Sequence, residues 1–256
     1  MALFTDEPIN RSSELQAYET NILNVASTEG IDVTVKAALA QDELGTRLHL
    51  FLKRNRFNDA YAYYAMEPHI GLQNIAVIPA LKRWHAYKTL ALVYRDAYNN
   101  NLNDRYKGKW DEYETLAAST AADLFAGGVG IVSAPMAKAS VPVLTTVAAG
   151  VTGTTYYAAV SWIGSIGQEG EASDVVQATS ADGSTVQVSI VPGPGVRCWN
   201  LYAGSTPDGM TLQNISPMAV TGSWAYPASG LVAGRALPDG QLPDRWICDR
   251  RILQRG

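Results

Sequence analysis

The side chains of this sequence that could do chemistry are three histidines, two cysteines, one close pair of carboxylates and a serine in a glycine-rich turn. His49, His69 and His85 fall in no HExxH pattern, and no Cys or His pair has the spacing of a zinc site. A metal centre would have to be assembled from scattered residues. His85 follows Trp84 in a helical pattern and reads as a partly exposed structural residue. Ser165, in WIGSIGQEG, lacks the following helix that a nucleophile elbow needs, and no GxSxG, Walker A or GxGxxG occurs. Glu169 and Glu171 could in principle form an acid–base pair for hydrolysis. They stand in a glycine-bounded turn with no apolar wall to raise a pKa, so they read as a solvated hairpin tip. Cys198 and Cys248 lie far apart, consistent with folding in a reducing cytosol, and their pairing is left open. These residues make no case for an enzyme, a cofactor or a metal.

A different chemistry, that of contact, is written in the last residues. QLPDRWICDRRILQRG carries four arginines against two aspartates, interleaved with Trp246, Ile247, Ile252 and Leu253. Disordered tails are poor in tryptophan and leucine, whereas Trp with Arg is the composition of an interface hot spot. Pro238 and Pro243 keep the approach extended. Residues 241–256 therefore read as a C-terminal arm.

Two helical stretches from Pro79 to Leu124 organise the rest. In PALKRWHAYKTLALVYRDAYNN, Trp84, Tyr87, Leu90, Ala91, Tyr94 and Tyr98 recur at spacings of three and four. In DRYKGKWDEYETLAASTAADLF, Tyr106, Trp110, Tyr113, Ala117 and Leu124 repeat the pattern. The Asn99–Asn103 break makes an antiparallel hairpin the simplest geometry. Upstream, a first helix is expected from Ser12 or Ser13 to about Ser27–Gly30. A second, capped by Asp32 or Thr34, covers VKAALAQDELGTRLHLFLKRN, where Gly45 marks a kink or a close contact. Between the second and third helices, residues 56–78 carry Tyr61, Tyr63 and Tyr64 without a clean period. Local burial or a subunit interface would account for them. Part of the hairpin's aromatic face, Tyr94, Tyr98, Tyr106 and Trp110 near the Asn-rich turn, is a further interface candidate.

Composition separates two folding units. Residues 1–126 hold 13 basic and 16 acidic side chains, whereas only nine charged residues occur from Ala126 to Gly240. The glycine-rich AGGVGIVSAP marks the change, which places a helical bundle at 1–126 and a second unit at 127–240. That second unit alternates like half-buried strands at 141–147, 154–162, 171–178, 185–191, 197–203, 210–215 and 223–226, with turn chemistry between them. Seven short strands describe an immunoglobulin-like antiparallel β-sandwich, with Trp162, Trp199, Tyr156 and Tyr202 as core aromatics. The whole is a two-part α plus β chain with an extended C-terminal arm. At 256 residues and net charge −4 it has no general attraction to nucleic acid or anionic membrane. It has no apolar run of about 18 residues, and its first ten residues do not resemble an export signal.

The helical half, through VKAALAQDELGTRLHLFLKR, PALKRWHAYKTLALVYRDAYNN and KWDEYETLAASTAADLF, resembles the head-to-tail adaptor (head completion or connector) proteins of tailed bacteriophages. The β half, through GTTYYAAVSWIGSIGQEGEAS and VRCWNLYAG, resembles immunoglobulin-like or fibronectin III-like modules of virion proteins. Together the resemblances cover roughly residues 12–227. They imply a structural virion protein at the head–tail junction, assembled in the host cytoplasm. Helical subunits would form a homo-oligomeric ring, usually of twelve copies, beneath the portal. The ring would continue the DNA channel without sequence-specific binding and meet a tail, stopper or nozzle protein on its far side. Arg245, Trp246, Ile247, Arg250, Arg251 and Leu253 become the expected portal contacts. The alternative from another class is a virion-displayed decoration or carbohydrate-binding β-sandwich anchored by its helices.

Overall fold

The computed structural model describes residues 1–57, 70–101, 104–149 and 152–249. The chain divides into two compact units, one of Met1–Leu3 with Ala134–Leu242 and one of Phe4–Ser133 with the residues from Pro243 onward. An N-terminal helical region of five α-helices among the described residues is followed by several antiparallel sheets.

In the helical unit, the expected first helix is split into α1 (Ser12–Leu15) and α2 (Ile22–Glu29). The second ends on Gly30, whose left-handed φ of 66° suits glycine alone at low cost. The Asp32 carboxylate then accepts from the amides of Thr34 (2.8 Å) and Val35 (3.3 Å) and so caps α3 (Val33–Phe57). Gly45 marks a close approach: a β-carbon there would stand 3.3 Å from the Phe4 ring.

Pro79 opens α4 (Pro79–Asn101), and α5 (Asp104–Gly127) returns antiparallel to it. Tyr98 meets Trp110 at 6.2 Å, Tyr94 meets Tyr113 at 5.7 Å and Trp84 meets Phe125 at 5.6 Å, so low numbers on one helix face high numbers on the other. α4 is the central helix, with Leu90, Ala91, Leu92 and Val93 all buried in succession. No helix of the described residues is long and apolar enough to cross a membrane.

Beyond α5 the chain forms β1 (Val129–Ile131), and near the C-terminus β10 (Arg245–Ile247) pairs with it antiparallel, Gly130 opposite Trp246. A bridge between Ile75 and Ile131 adds a third run of backbone on the other side of β1. The composition change at 126/127 therefore does not coincide with the division between units, because pairing on both edges of β1 holds residues 127–133 with the helices. The same pairing builds the described residues of the tail from Pro243 onward into the helical unit, where composition suggests a separate arm.

Each of the seven stretches expected to be extended in the other unit overlaps a strand. They are β2 (Val143–Ala148), β3 (Thr155–Ile163), β4 (Val176–Thr179), β5 (Ser184–Ser189), β6 (Cys198–Gly204), β7 (Thr211–Leu212) and β9 (Trp224–Ala225); β8 (Met218–Ala219) is additional. They form a three-stranded sheet, β2-β5-β9, and a five-stranded sheet, β4-β3-β6-β7 with β8 also on β6. Alternate residues of β3 and β6, including Tyr156, Val160, Trp162, Trp199 and Leu201, join Val186 and Val188 of β5 in one apolar cluster. Gly193 lies flat against this core, since a β-carbon there would fall 2.7 Å from the Trp162 ring.

Candidate interaction surface

Five local devices fix the tail residues that carry contact chemistry. Pro243 packs on Gly130, where a β-carbon would come within 2.7 Å of the proline ring. The Asp244 amide donates to the Ile131 carbonyl at 2.9 Å, and the Asp244 carboxylate accepts from the Ser133 amide (2.9 Å) and hydroxyl (2.8 Å). The Ser133 amide bond is the main reason the Asp244 carboxyl sits below its usual pKa. Downstream, the Asp249 amide donates to the Phe125 carbonyl at 2.9 Å, and the Asp249 carboxylate pairs with Arg54 of α3. Between these anchors Arg245 and Trp246 are exposed, Trp246 by 55%, and Ile247 is half-buried. Trp246 stands over Gly128, which has a φ of 115°. An indole fixed in place over a glycine loses little side-chain freedom when a partner covers it, which suits a hot spot. Arg250, Arg251 and Leu253 lie outside the described residues.

The hairpin aromatics divide. Tyr94 and Tyr106 are buried inside their own unit, each 4% exposed, so they give their area to the bundle and offer none to a neighbour. Tyr98 and Trp110 are partly buried against the same core and keep part of their rings outside. Tyr106 donates to Glu29 (2.9 Å) and Tyr113 to Glu19 (2.8 Å), which ties α5 to α2 and to the turn before it. Burial pushes the Tyr94 phenol up to about 12; burial and the Glu19 bond push Tyr113 up as well. Burial alone would raise Glu19, but bonds from Tyr113 and Lys109 outweigh it and hold the carboxylate low. Both phenols are therefore neutral at pH 7. Tyr61, Tyr63 and Tyr64 lie outside the described residues.

Two polar groups depart from the sequence reading. His85 is not partly exposed but fully buried. Its Nδ1 is 2.9 Å from Asn10 Nδ2 and its Nε2 3.0 Å from the Ala37 carbonyl. Asn10 Nδ2 also donates to the Lys82 carbonyl at 2.8 Å, so it is the donor to Nδ1, and Nε2–H donates to Ala37. Burial lowers the imidazole to about pKa 4, so it is neutral and cannot exchange protons near pH 7.

Glu169, expected at a solvated tip, keeps only 15% of its side chain exposed. It accepts from the Ser161 hydroxyl, Asn200 Nδ2 (3.0 Å), the Tyr202 phenol (2.7 Å) and the Arg235 guanidinium. Burial opposes ionisation, and these four donors overcome it, leaving the pKa below the ordinary value. An ionised carboxylate saturated with donors is a poor general acid and has no reason to leave its bonds to act as a base. The wall that the sequence reading missed is the outward face of β3 and β6. Ser161, Asn200 and Tyr202 alternate there with core residues, and that alternation was the available signal.

Both cysteines are free thiols, Cys198 half-buried and Cys248 exposed. Among the described residues no group of three or more His, Cys, Asp or Glu could hold a metal ion. No family model, curated protein or solved structure matches the chain.

Proposed function

We propose that this chain is a structural virion protein, a head-to-tail adaptor whose helical unit forms a ring beneath the portal and continues the DNA channel toward the tail. The observation that carries the reading is the tail: a Trp–Arg segment anchored to the helical unit by β10, with an exposed indole and an exposed arginine on the paired strand. A passive assembly part needs contact surfaces built on rigid elements rather than acid–base groups, and among the described residues the His85, Glu19 and Glu169 clusters are spent on structure. The β unit is read as an immunoglobulin-like module. Its sheet orders and shared apolar cluster support that reading, with β9 occupying an edge beside β5.

The portal-facing residues are Arg245, Trp246 and Ile247, with Arg250, Arg251 and Leu253 following. Removing the whole tail would also strip β10 from β1 and expose the β1 edge, so a point change is the cleaner test. Purified full chain carrying Trp246→Ala is mixed with portal rings and sedimented. The expected result is co-sedimentation of the unmodified chain and a loss of at least tenfold for the variant, with unchanged melting. Equal co-sedimentation of both would remove the tail from the contact, and no binding by either would remove the adaptor reading.

A further inference from the structure

The three-stranded sheet of the β unit, β2-β5-β9, contains no charged residue: its strands read VLTTVA, STVQVS and WA. The chain around β2 is uncharged from Ala139 to Gln168. β2 forms one edge of this sheet. At six residues it is longer than the strands at the other sheet margins of the unit, β4 with four and β7 and β9 with two each.

The pairing of β2 fixes which of its backbone groups face outward. The Ala149 amide donates to the Gly183 carbonyl at 3.0 Å and extends the register of Ala148 opposite Ser184 by one residue, so Ala149 and Gly183 are a hydrogen-bonded pair. Bonded and unbonded pairs alternate, which directs the backbone groups of Val143, Thr145 and Val147 toward β5 and those of Leu144, Thr146 and Ala148 away from it. The far side of β5 agrees: the Val186 carbonyl, opposite Thr146, accepts from the Tyr226 amide at 3.2 Å and so is turned away from β2. Among the described residues, the three amides and three carbonyls of Leu144, Thr146 and Ala148 have no hydrogen-bond partner.

Proteins blunt such an edge with charge, a proline, a bulge or a covering segment. Within β2 none of these occurs: the register with β5 is unbroken from Val143 to Ala148, and Val143, Thr145, Thr146 and Ala148 are exposed. Pro142 bounds the edge only at its start.

We propose that β2 pairs with β2 of a second copy of this chain, antiparallel about a two-fold axis through Thr146, and so joins two three-stranded sheets into one of six strands. An open edge selects extended backbone; register and charge select the second copy. With Thr146 opposite Thr146, Leu144 lies opposite Ala148 in both directions, and each outward amide meets an outward carbonyl. A shift of two residues one way sets Pro142, which has no N–H to give, opposite Ala148; a shift the other way carries Leu144 past the end of β2. The side chains fit the same register, leucine beside alanine and threonine beside threonine. A charged partner strand would find no counter-charge on this sheet, whereas a second β2 brings none. The contact is isologous and uses the β unit alone, so it does not rest on the ring reading.

Disulfide trapping of the full chain tests it. In this register Thr145 of one copy and Val147 of the other form an unbonded pair with Cα atoms about 4.5 Å apart, within reach of a disulfide. Thr145→Cys and Val147→Cys, each with the exposed Cys248 changed to serine, are mixed and oxidised, and mass spectrometry counts the products. Crosslinked heterodimers are expected to exceed either homodimer roughly tenfold. Adding Thr146→Lys to both should cut trapping roughly tenfold by setting like charges opposite each other, and Thr146→Lys on one with Thr146→Glu on the other should restore it. Thr146 is exposed, so circular dichroism melting should stay within about a few degrees. No heterodimer, homodimers in equal amount, or trapping indifferent to Thr146→Lys would overturn the pairing and leave the ring reading standing. Portal rings that bind no chain would remove the ring reading and leave the pairing.

Discussion

His85 of the helical unit and Glu169 of the β unit hold a titratable group out of water in opposite ways, and the helical unit uses the second way too, at Glu19. The helical unit keeps His85 neutral and gives it one donor, Asn10, and one acceptor, the Ala37 carbonyl. The β unit keeps Glu169 charged and surrounds it with four donors, including the Arg235 cation. Neutrality avoids the cost of burying charge, at the expense of a fixed tautomer. Charge retained in the wall of a sheet needs every lone pair engaged, and in return joins elements distant in sequence. The lesson is that neither cluster is a poised catalytic group. One imidazole cannot take up a proton near pH 7, and one carboxylate cannot give one.

The largest expected effect breaks the charged hub. Glu169→Ala leaves Ser161, Asn200 and Tyr202 without their acceptor and Arg235 without its partner, and should cost the β unit roughly 3–5 kcal/mol. Hydrogen exchange should lose protection in β3 and β6 and keep it in α4. Protection lost equally in both units would contradict the separation drawn here.

Next comes acid. The His85 imidazole has its pKa lowered from 6.5 to about 4 on folding. Above 6.5 both states are neutral and nothing is lost; between 6.5 and about 4 the unfolded chain takes up the proton first. Stability therefore falls across that window by roughly 3 kcal/mol and levels off below it. Glu169 acts in a lower window: its carboxyl is depressed, so its contribution is whole above the ordinary value of 4.5 and is lost as pH falls through the folded value. Exchange in α4 should thus accelerate before exchange in β3 as the solution is acidified. The reverse order would undo the assignment of the two groups.

A smaller effect isolates the donor. Asn10→Ala leaves His85 Nδ1 unsatisfied in the core and is expected to lower helical-unit stability by about 1–2 kcal/mol in denaturant titration. Smallest is Arg235→Gln: its side chain is 52% exposed, so about 1 kcal/mol or less is expected, visible as a modest shift in the unfolding midpoint. A loss as large as that of Glu169→Ala would mean that the ion pair, and not the three buried donors, carries the hub.

How much of this was legible follows from how local each feature is. The α4–α5 hairpin showed in its aromatic period, and seven strands showed in alternation and turn chemistry. The Asp32 cap and the helix start at Pro79 were also readable, because they involve neighbours in sequence. The β1–β10 pair was not: Val129–Ile131 is three residues inside a glycine-rich stretch, and its partner lies more than a hundred residues away. The burial of His85 had a faint signal, since α4 is apolar on several faces around it and a helix apolar all round is central. Tyr94 and Tyr106 were offered as interface residues because a packing period does not say which side of a helix faces the rest of its own chain. The Glu169 hub needed Arg235 brought back across the sheet, which no local pattern encodes.

Electron microscopy of the purified full chain mixed with portal rings tests the adaptor reading most directly. The account predicts a second ring, coaxial with the portal, with helical units side by side around the channel and the tail at the portal face. Portal rings bare of added density, or the chain bound singly through its β unit, would contradict it.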